Sequence, residues 1–451
     1  MHLSPIDPSN TNPSGAAYVP ALSSTHNWTC PFCPLLCDDL SVALYDDGTL
    51  SAANTDCPRL AQALTRFGAA DAQCRNLIDG QDADFDSALE RAAQILSQAR
   101  RPLFAGLATD VAGARALYTL AASCGAILDH LHGDALSAAT LALQDRGSFF
   151  TTLSEVRSRA DLVVVFGCQP SQHFPRFYAR LLDGIDTPRE WIFVGCDVPD
   201  PGLSGFQQTR GETILSGCDP YDTLALWSAL SEGRKPDTLN DGGSGAAAAL
   251  AALQARIAAA RYAVIVYEPA ALPGPHAALL VEALNRIVKT VNRTSRAGCL
   301  ALGGGDGALT VNQTVTWLSG WPLRTRVSTP ARLAGTAALE HDPYRYRTGR
   351  LLANGEVDAL LWVASFAPHA WPHALAHDVP TVVLGHPALA EAARARGAPT
   401  VFLPVATPGI DSGGHLFRVD TSVVLPLAAA RGAALPTVET LAVQLAARVQ
   451  P

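Results

Sequence analysis

An α/β fold, with two Rossmann-like doubly wound domains and a small N-terminal β-rich cysteine module, is the architecture that three features of this sequence predict. The first is a series of short, continuously apolar runs at residues 102–107, 162–166, 192–194, 262–267, 300–302, 359–364, 381–384 and 400–403. Unbroken rather than alternating apolarity marks strands buried on both faces, as in parallel sheets covered by helices. The second is that helical or loop stretches long enough for crossover connections separate these runs. The third is composition: 451 residues, 48% hydrophobic and 16% charged, with a mean hydropathy of +0.14, can fill two or three ordinary cores.

Taken in order, residues 1–27 form a polar arm rich in proline and serine. Residues 40–45 then alternate like a strand and run into the turn Asp46-Asp47-Gly48, so a small β-rich module is expected over residues 28–75. From Asp84 the apolar positions Ala88, Ala92, Ile95 and Leu96 take helical spacing, and the strand at 102 opens a first α/β domain, 76–235. The Gly/Asp/Ser-rich stretch 231–245 precedes an Ala-rich helix at 246–260 and is read as the boundary to a second α/β domain, 236–451, with a helix at 387–396. Doubly wound sheets bind ligands at the carboxyl ends of their strands. The segments 106–113, 167–176, 195–201 and 365–372 are therefore where a site is expected.

A net charge of −8, with no Lys/Arg run longer than two, lacks the basic stripe that phosphate backbones require, so no nucleic-acid partner is expected. No apolar run approaches the roughly 18 to 20 residues that span a bilayer, and the first residues are not signal-like; no membrane contact and a cytoplasmic location are expected.

Four of the ten cysteines crowd the start of the chain: Cys30-Pro31-Phe32-Cys33-Pro34-Leu35-Leu36-Cys37-Asp38-Asp39, then Cys57 in Asn54-Thr55-Asp56-Cys57-Pro58. Three thiolates in one tight loop and a fourth on the returning chain could hold a [4Fe-4S] cluster. Zinc could use the same set, and four buried thiols behaving as small hydrophobes need no metal. Pro34 stands where a backbone donor could otherwise have bonded a cluster sulfur.

These residues, with Leu141-Ala142-Leu143-Gln144-Asp145-Arg146-Gly147, the run from Arg159 through Gly167-Cys168-Gln169-Pro170 to Pro175-Arg176, Trp317-Leu318-Ser319-Gly320-Trp321-Pro322, and Gly409-Ile410-Asp411-Ser412-Gly413-Gly414, resemble the B-type chain of formylmethanofuran dehydrogenase and its bacterial counterpart in the formyltransferase/hydrolase complex. The resemblance covers nearly all the chain after residue 27 and implies the fold of molybdopterin oxidoreductases. In the redox-active relatives a cysteine or selenocysteine in the loop after the first strand ligates tungsten or molybdenum. Residues 102–113 align with that loop and put Ala112 at the lost metal-ligand position; Asp110 nearby offers only oxygen, a poor substitute for a soft donor. The resemblance therefore implies a non-catalytic, non-redox scaffolding subunit without a tungsten or molybdenum pterin. Its implied partners are amidohydrolase-type, formyltransferase-type and C-type subunits, together with a furan one-carbon carrier. An active oxidoreductase chain carrying a tungsten or molybdenum pterin and a [4Fe-4S] cluster is the alternative.

Cys168, His173, Arg176 and Asp197 are what would remain of a pterin site. Read from the residues alone, Cys168 and Cys196 are inert buried thiols, because no cation beside them in sequence would activate them. His369, His373 and His377 recur every four residues and could line a helix face, but Pro372 among them favours a solvated helix end. Gly303-Gly304-Gly305-Asp306-Gly307 lacks a following Gly-Lys-Ser/Thr and is read as a tight turn. Trp317, Trp321, Trp362 and Trp371 cluster in the second half, as interface anchors or as core.

Overall fold

The computed structural model describes residues 21–68, 74–207, 209–234, 241–329 and 337–449. Every continuous apolar run noted above forms a strand, and the strands assemble into two separate sheets. One sheet has five strands, all parallel, in the spatial order Thr209–Ile214, Arg189–Val194, Leu162–Phe166, Ala263–Tyr267, Ala297–Ala301. In chain order this is 3-2-1-4-5, a doubly wound arrangement. The other sheet has nine strands. Its parallel centre runs Ile127–Leu128, Pro102–Ala108, Ala359–Ala364, Thr381–Gly385, Thr400–Pro404, or 2-1-3-4-5 in chain order. Antiparallel pairs close both edges: Thr325–Val327 with Leu339–His341 on one side, Asn76–Ile78 with Gln81–Ala83 on the other.

The expected division at 235/236 does not follow these sheets. Pro102 pairs in register with Ala359, and Leu162 with Ala263, so the five-stranded sheet is an insertion inside the nine-stranded one. Alternation of β and α segments is a local signal and carries no information on which strand pairs with which. Central strands wholly buried on both faces, such as Val163, Val164 and Val165 at 0%, are the reason those runs read so clearly.

The helix after Asp84 spans Phe85–Gln98, and Asp84 caps it by accepting from Ser87 N–H at 2.9 Å. Strands Leu40–Leu44 and Leu50–Ala52 form the expected hairpin, extended to three strands by Ser23–Trp28. The arm thus contributes a strand from residue 23 onward; residues 1–20 lie outside the described residues. Trp28, wholly buried, donates its indole N–H to the Gly409 carbonyl at 2.8 Å and to that of Ala428 at 3.1 Å, tying the module to the far end of the chain. No helix among the described residues is long and apolar enough to cross a membrane.

Candidate functional site

In each sheet the winding direction reverses beside its first strand, and the carboxyl ends at that point form a crevice suited to ligands. In the nine-stranded sheet the reversal falls between Pro102–Ala108 and Ala359–Ala364. A cavity of about 350 Å³ opens there, lined by Gly106, Asp129, His130, Arg324, Thr348 and His369 among others. Gly106, at φ +76°, is packed so closely that a Cβ would stand 2.5 Å from the Val363 carbonyl oxygen.

Asp306, on the glycine-rich turn, organises this crevice. Its Oδ2 lies 3.0 Å from His132 Nε2, its Oδ1 lies 3.1 Å from His369 Nε2, and its carbonyl oxygen lies 3.1 Å from His130 Nε2. His130 Nδ1 accepts from the His132 backbone N–H at 3.0 Å, so the proton of a neutral His130 sits on Nε2 and is donated to Asp306. Burial pushes the Asp306 carboxyl up, but the hydrogen bonds from His132 and His369 outweigh it and hold the group well below the usual carboxylate range. Burial, aided by His132, drives His130 down to about 3. Beneath the cluster, buried Arg324 contacts Asp129 at 3.4 Å and Asp134 at 2.5 Å, while Asp129 also accepts from Thr348 N–H and Oγ1.

The segment 109–113 that follows strand Pro102–Ala108 carries no thiol. Ala112 occupies the first turn of the helix Val111–Cys124. Asp110 caps that helix by accepting from Gly113 N–H at 3.0 Å and also meets His415 N–H at 3.4 Å, so its oxygens are committed to the backbone.

In the five-stranded sheet the reversal falls between Leu162–Phe166 and Ala263–Tyr267. His173 Nδ1 lies 2.9 and 3.0 Å from the two oxygens of Glu268, a buried carboxylate just past the strand end. Cys168 and Cys196 end adjacent strands, and the Cys196 thiol donates to the Cys168 carbonyl at 3.3 Å. Burial raises both thiols, Cys168 well above the ordinary range. Asp197 is exposed and accepts from Ser216 Oγ at 2.6 Å. Arg176 is drawn to the cysteine module instead, where it forms a bidentate pair with Asp39 at 2.6 and 2.7 Å.

Arg59 joins the two crevices to that module. It donates to the Phe32 carbonyl at 2.6 Å and the His173 carbonyl at 2.9 Å, and a Cβ on Gly305 would lie 3.6 Å from it and 3.5 Å from His132 Nε2. The cysteine loop closes through Cys30 N–H to the Cys37 carbonyl and Leu36 N–H to the Cys33 carbonyl, both 2.9 Å, and Cys57 precedes the helix Pro58–Leu64. Cys30, Cys33 and Cys37 are buried and Cys57 half-buried, with Cys30 inside the electrostatic reach of the other three. Burial pushes Cys33 up to about 12, opposed by Arg59; burial also raises Cys37, opposed by Arg176 and Arg180. Among the described residues no three His, Cys, Asp or Glu side chains are placed to hold one metal ion. A cubane spreads its thiolates over separate irons, and four neighbouring thiols ringed by three guanidiniums suit such a dianionic group.

Sequence reasoning misses the centre of the site. It passes over His130 and His132 and reads Asp306 only as part of a turn, while His369, His373 and His377 lie in irregular chain rather than on a helix. The residue pattern Asp-His-Leu-His at 129–132, directly after a strand of the sheet, is the available signal.

Fold and crevices define the class: an α/β chain of two interleaved doubly wound sheets, braced by an N-terminal cysteine loop. No family model matches the chain. It is 29% identical over 349 residues to the B-type chain of the formyltransferase/hydrolase complex Fhc of Methylorubrum extorquens, covering 77% of this chain and 89% of that protein. It is 24% identical over 422 residues to the B-type chain of the tungsten-containing formylmethanofuran dehydrogenase 2 of Methanocaldococcus jannaschii, covering 87% and 91%. Among solved structures, a chain of the formyltransferase/hydrolase complex FhcABCD from Methylorubrum extorquens, crystallised with methylofuran, superposes with a TM-score of 0.67 at 26% identity, covering 83% of this chain and 98% of the other. Over most of its length the chain is thus similar to the B-type chains of formyltransferase/hydrolase complexes and formylmethanofuran dehydrogenases.

Proposed function

We propose that this chain is the non-redox B-type component that scaffolds a formyltransferase/hydrolase complex in tetrahydromethanopterin-linked formaldehyde oxidation to formate. In this reading its partners are amidohydrolase-type, formyltransferase-type and C-type chains, and the formyl group travels between them on a furan carrier. Its likeness over most of its length to a B-type chain of such a complex supports the assignment. The observation that carries the non-redox part is the loop after strand Pro102–Ala108: it offers Ala112 and a helix-capping Asp110, and the crevice wall presents imidazoles, carboxylates and guanidiniums instead of a thiolate.

Cys30, Cys33, Cys37 and Cys57 are the residues that would hold a [4Fe-4S] cluster, with Arg59, Arg176 and Arg180 offsetting its charge. A cluster there would supply one-electron transfer. The module's own contribution is mechanical: Trp28, Arg59 and Arg176 fasten it to both sheets.

Elemental analysis of the native complex tests the reading. Tungsten and molybdenum well below one atom per chain are expected; about one per chain, with bound pterin, would overturn it. Iron and acid-labile sulfide near four per chain would place a cluster on the cysteine loop, and their absence would leave that loop as a thiol-packed brace.

A further inference from the structure

Segment 109–113, directly after strand Pro102–Ala108, is enclosed by chain drawn from distant parts of the sequence. Thr109 is wholly buried and Asp110 is 7% exposed. Gly307 of the glycine-rich turn packs so tightly that a Cβ there would overlap the Thr109 carbonyl oxygen, and a Cβ on Gly113 would overlap Thr109 Oγ1. The hairpin of strands Gly414–Phe417 and Val424–Leu427 closes in from the C-terminal side: a Cβ on Gly414 would stand 2.9 Å from Asp110 Oδ2 and 3.1 Å from Pro408 Cβ. Glycine is what lets these backbones meet on one loop at the density of a protein interior.

The strand end beneath is covered as well. Ser365 donates its N–H at 3.1 Å and its Oγ at 2.7 Å to the Ala108 carbonyl, and Thr407 Oγ1 donates to the Ser365 carbonyl at 2.7 Å. Ala108 shares a buried cluster with Leu36 of the cysteine loop, with Phe366, and with Leu416 and Leu427 of the hairpin, none more than 4% exposed. Phe417 N–H donates to Thr310 Oγ1 at 2.9 Å, pinning the hairpin to the helix Ala308–Ser319. The cavity of about 350 Å³ in this sheet is lined by Gly106 but by none of residues 107–113.

We infer that segment 109–113 is a closed packing joint, fastening the C-terminal hairpin and the glycine-rich turn to the first strand, with no room for a tungsten or molybdenum pterin even in an Ala112→Cys variant. A metal held by a thiolate and carrying pterin dithiolenes needs open volume beside its soft donor. Around this loop, backbone and leucine side chains take that volume. The inference rests on the non-redox reading above, which puts the lost ligand at Ala112. It deepens that reading, since supplying the missing thiolate would not be enough to recover the metal.

The test uses the full chain in its complex, produced in a host that makes tungsten and molybdenum pterins. In the parent and in Ala112→Cys, elemental mass spectrometry and fluorescence of the oxidised pterin should both read below about 0.1 per chain. Metal and pterin at about 0.5 per chain or more in Ala112→Cys alone would overturn the inference and leave the reading of the natural chain standing. The same content in the parent would overturn both. A packing measurement needs no cofactor and holds whether or not that variant folds. Gly414→Ala should melt about 4 °C or more below Gly413→Ala. Neither glycine has a left-handed backbone, and a Cβ on Gly413 would meet nothing nearer than the Leu427 carbonyl at 3.4 Å. Equal melting temperatures would show that the hairpin stands off the loop, and the joint would be overturned.

Discussion

His369 Nε2 stands 3.1 Å from Asp306 Oδ1 although 63 residues of chain separate them, and this contact ties the cavity-lining segment after strand Ala359–Ala364 to the glycine-rich turn. Because its hydrogen bonds to His132 and His369 depress the folded-state value of Asp306 against the effect of burial, its ionised form stabilises the fold. A depressed carboxylate contributes stability that is fully present above the unfolded value, about pH 4, and is lost as pH falls below that. Asp306→Asn should therefore lower stability at pH 7 and flatten the acid limb of unfolding free energy against pH. An unchanged limb in urea titrations below about pH 4 would show that the cluster is electrostatically idle.

Arg324 is 6% and Asp129 2% exposed at the side chain, so removing one partner strands the other. Arg324→Leu should cost about 3–5 kcal/mol in denaturant unfolding. Adding Asp129→Asn to it should recover part of that loss, since burial already pushes the Asp129 carboxyl up against the pull of Arg324. Additive losses in the double-mutant cycle would mean the two residues act independently.

Gly106 and Gly320 have similar backbone φ, +76° and +80°, but only Gly106 is crowded. Replacement of either by alanine incurs the left-handed strain of roughly 1–2 kcal/mol. Gly106→Ala should lose further stability because its Cβ meets the Val363 carbonyl and the Trp362 ring, while nothing lies within 4 Å of a Cβ at Gly320. Equal melting-temperature losses in the two variants would contradict the close packing of the crevice floor.

Thiol accessibility should divide the cysteines sharply. Cys218 is exposed, whereas Cys33 and Cys299 are buried and pushed up to about 12. With chelator-treated protein at pH 8, iodoacetamide should alkylate Cys218 first and reach Cys33 and Cys299 only on unfolding, as followed by peptide mass spectrometry. Rapid native labelling of Cys33 would show that the cysteine loop opens.

The strands are legible in the sequence because a strand buried on both faces writes itself as four or five consecutive apolar residues; Leu162–Phe166 and Ala359–Ala364 fall where the apolar runs place them, to the residue. The capped helix after Asp84 is legible for the same local reason. Pairing is not, since nothing near residue 102 announces that its neighbour begins at 359. The site suffers from the same limit: His132, Asp306 and His369 come from three segments and meet only once the sheet reverses its winding. Spacing by fours suggests a helix for His369, His373 and His377, but Pro372 and the absence of an apolar stripe leave that stretch without a helix to stand on. The tryptophans divide as depth dictates: Trp362 fills the core at 3% exposure while Trp317 does not.

The insertion of one sheet within the other sets an order of events during synthesis. Residues 162–301 can complete their five-stranded sheet as soon as they leave the ribosome, because all of its strands are then available. Strand Pro102–Ala108 must wait for residues 359–404 before its own sheet can close. Pairings this distant in sequence form late and slowly. During that wait an unfinished apolar strand stays exposed to misassembly, and at translation rates of about 5–20 residues per second the delay lasts on the order of ten seconds or more. A nascent chain of this topology is therefore a natural client for chaperones, and slowing its elongation beyond residue 301 should raise the aggregated fraction.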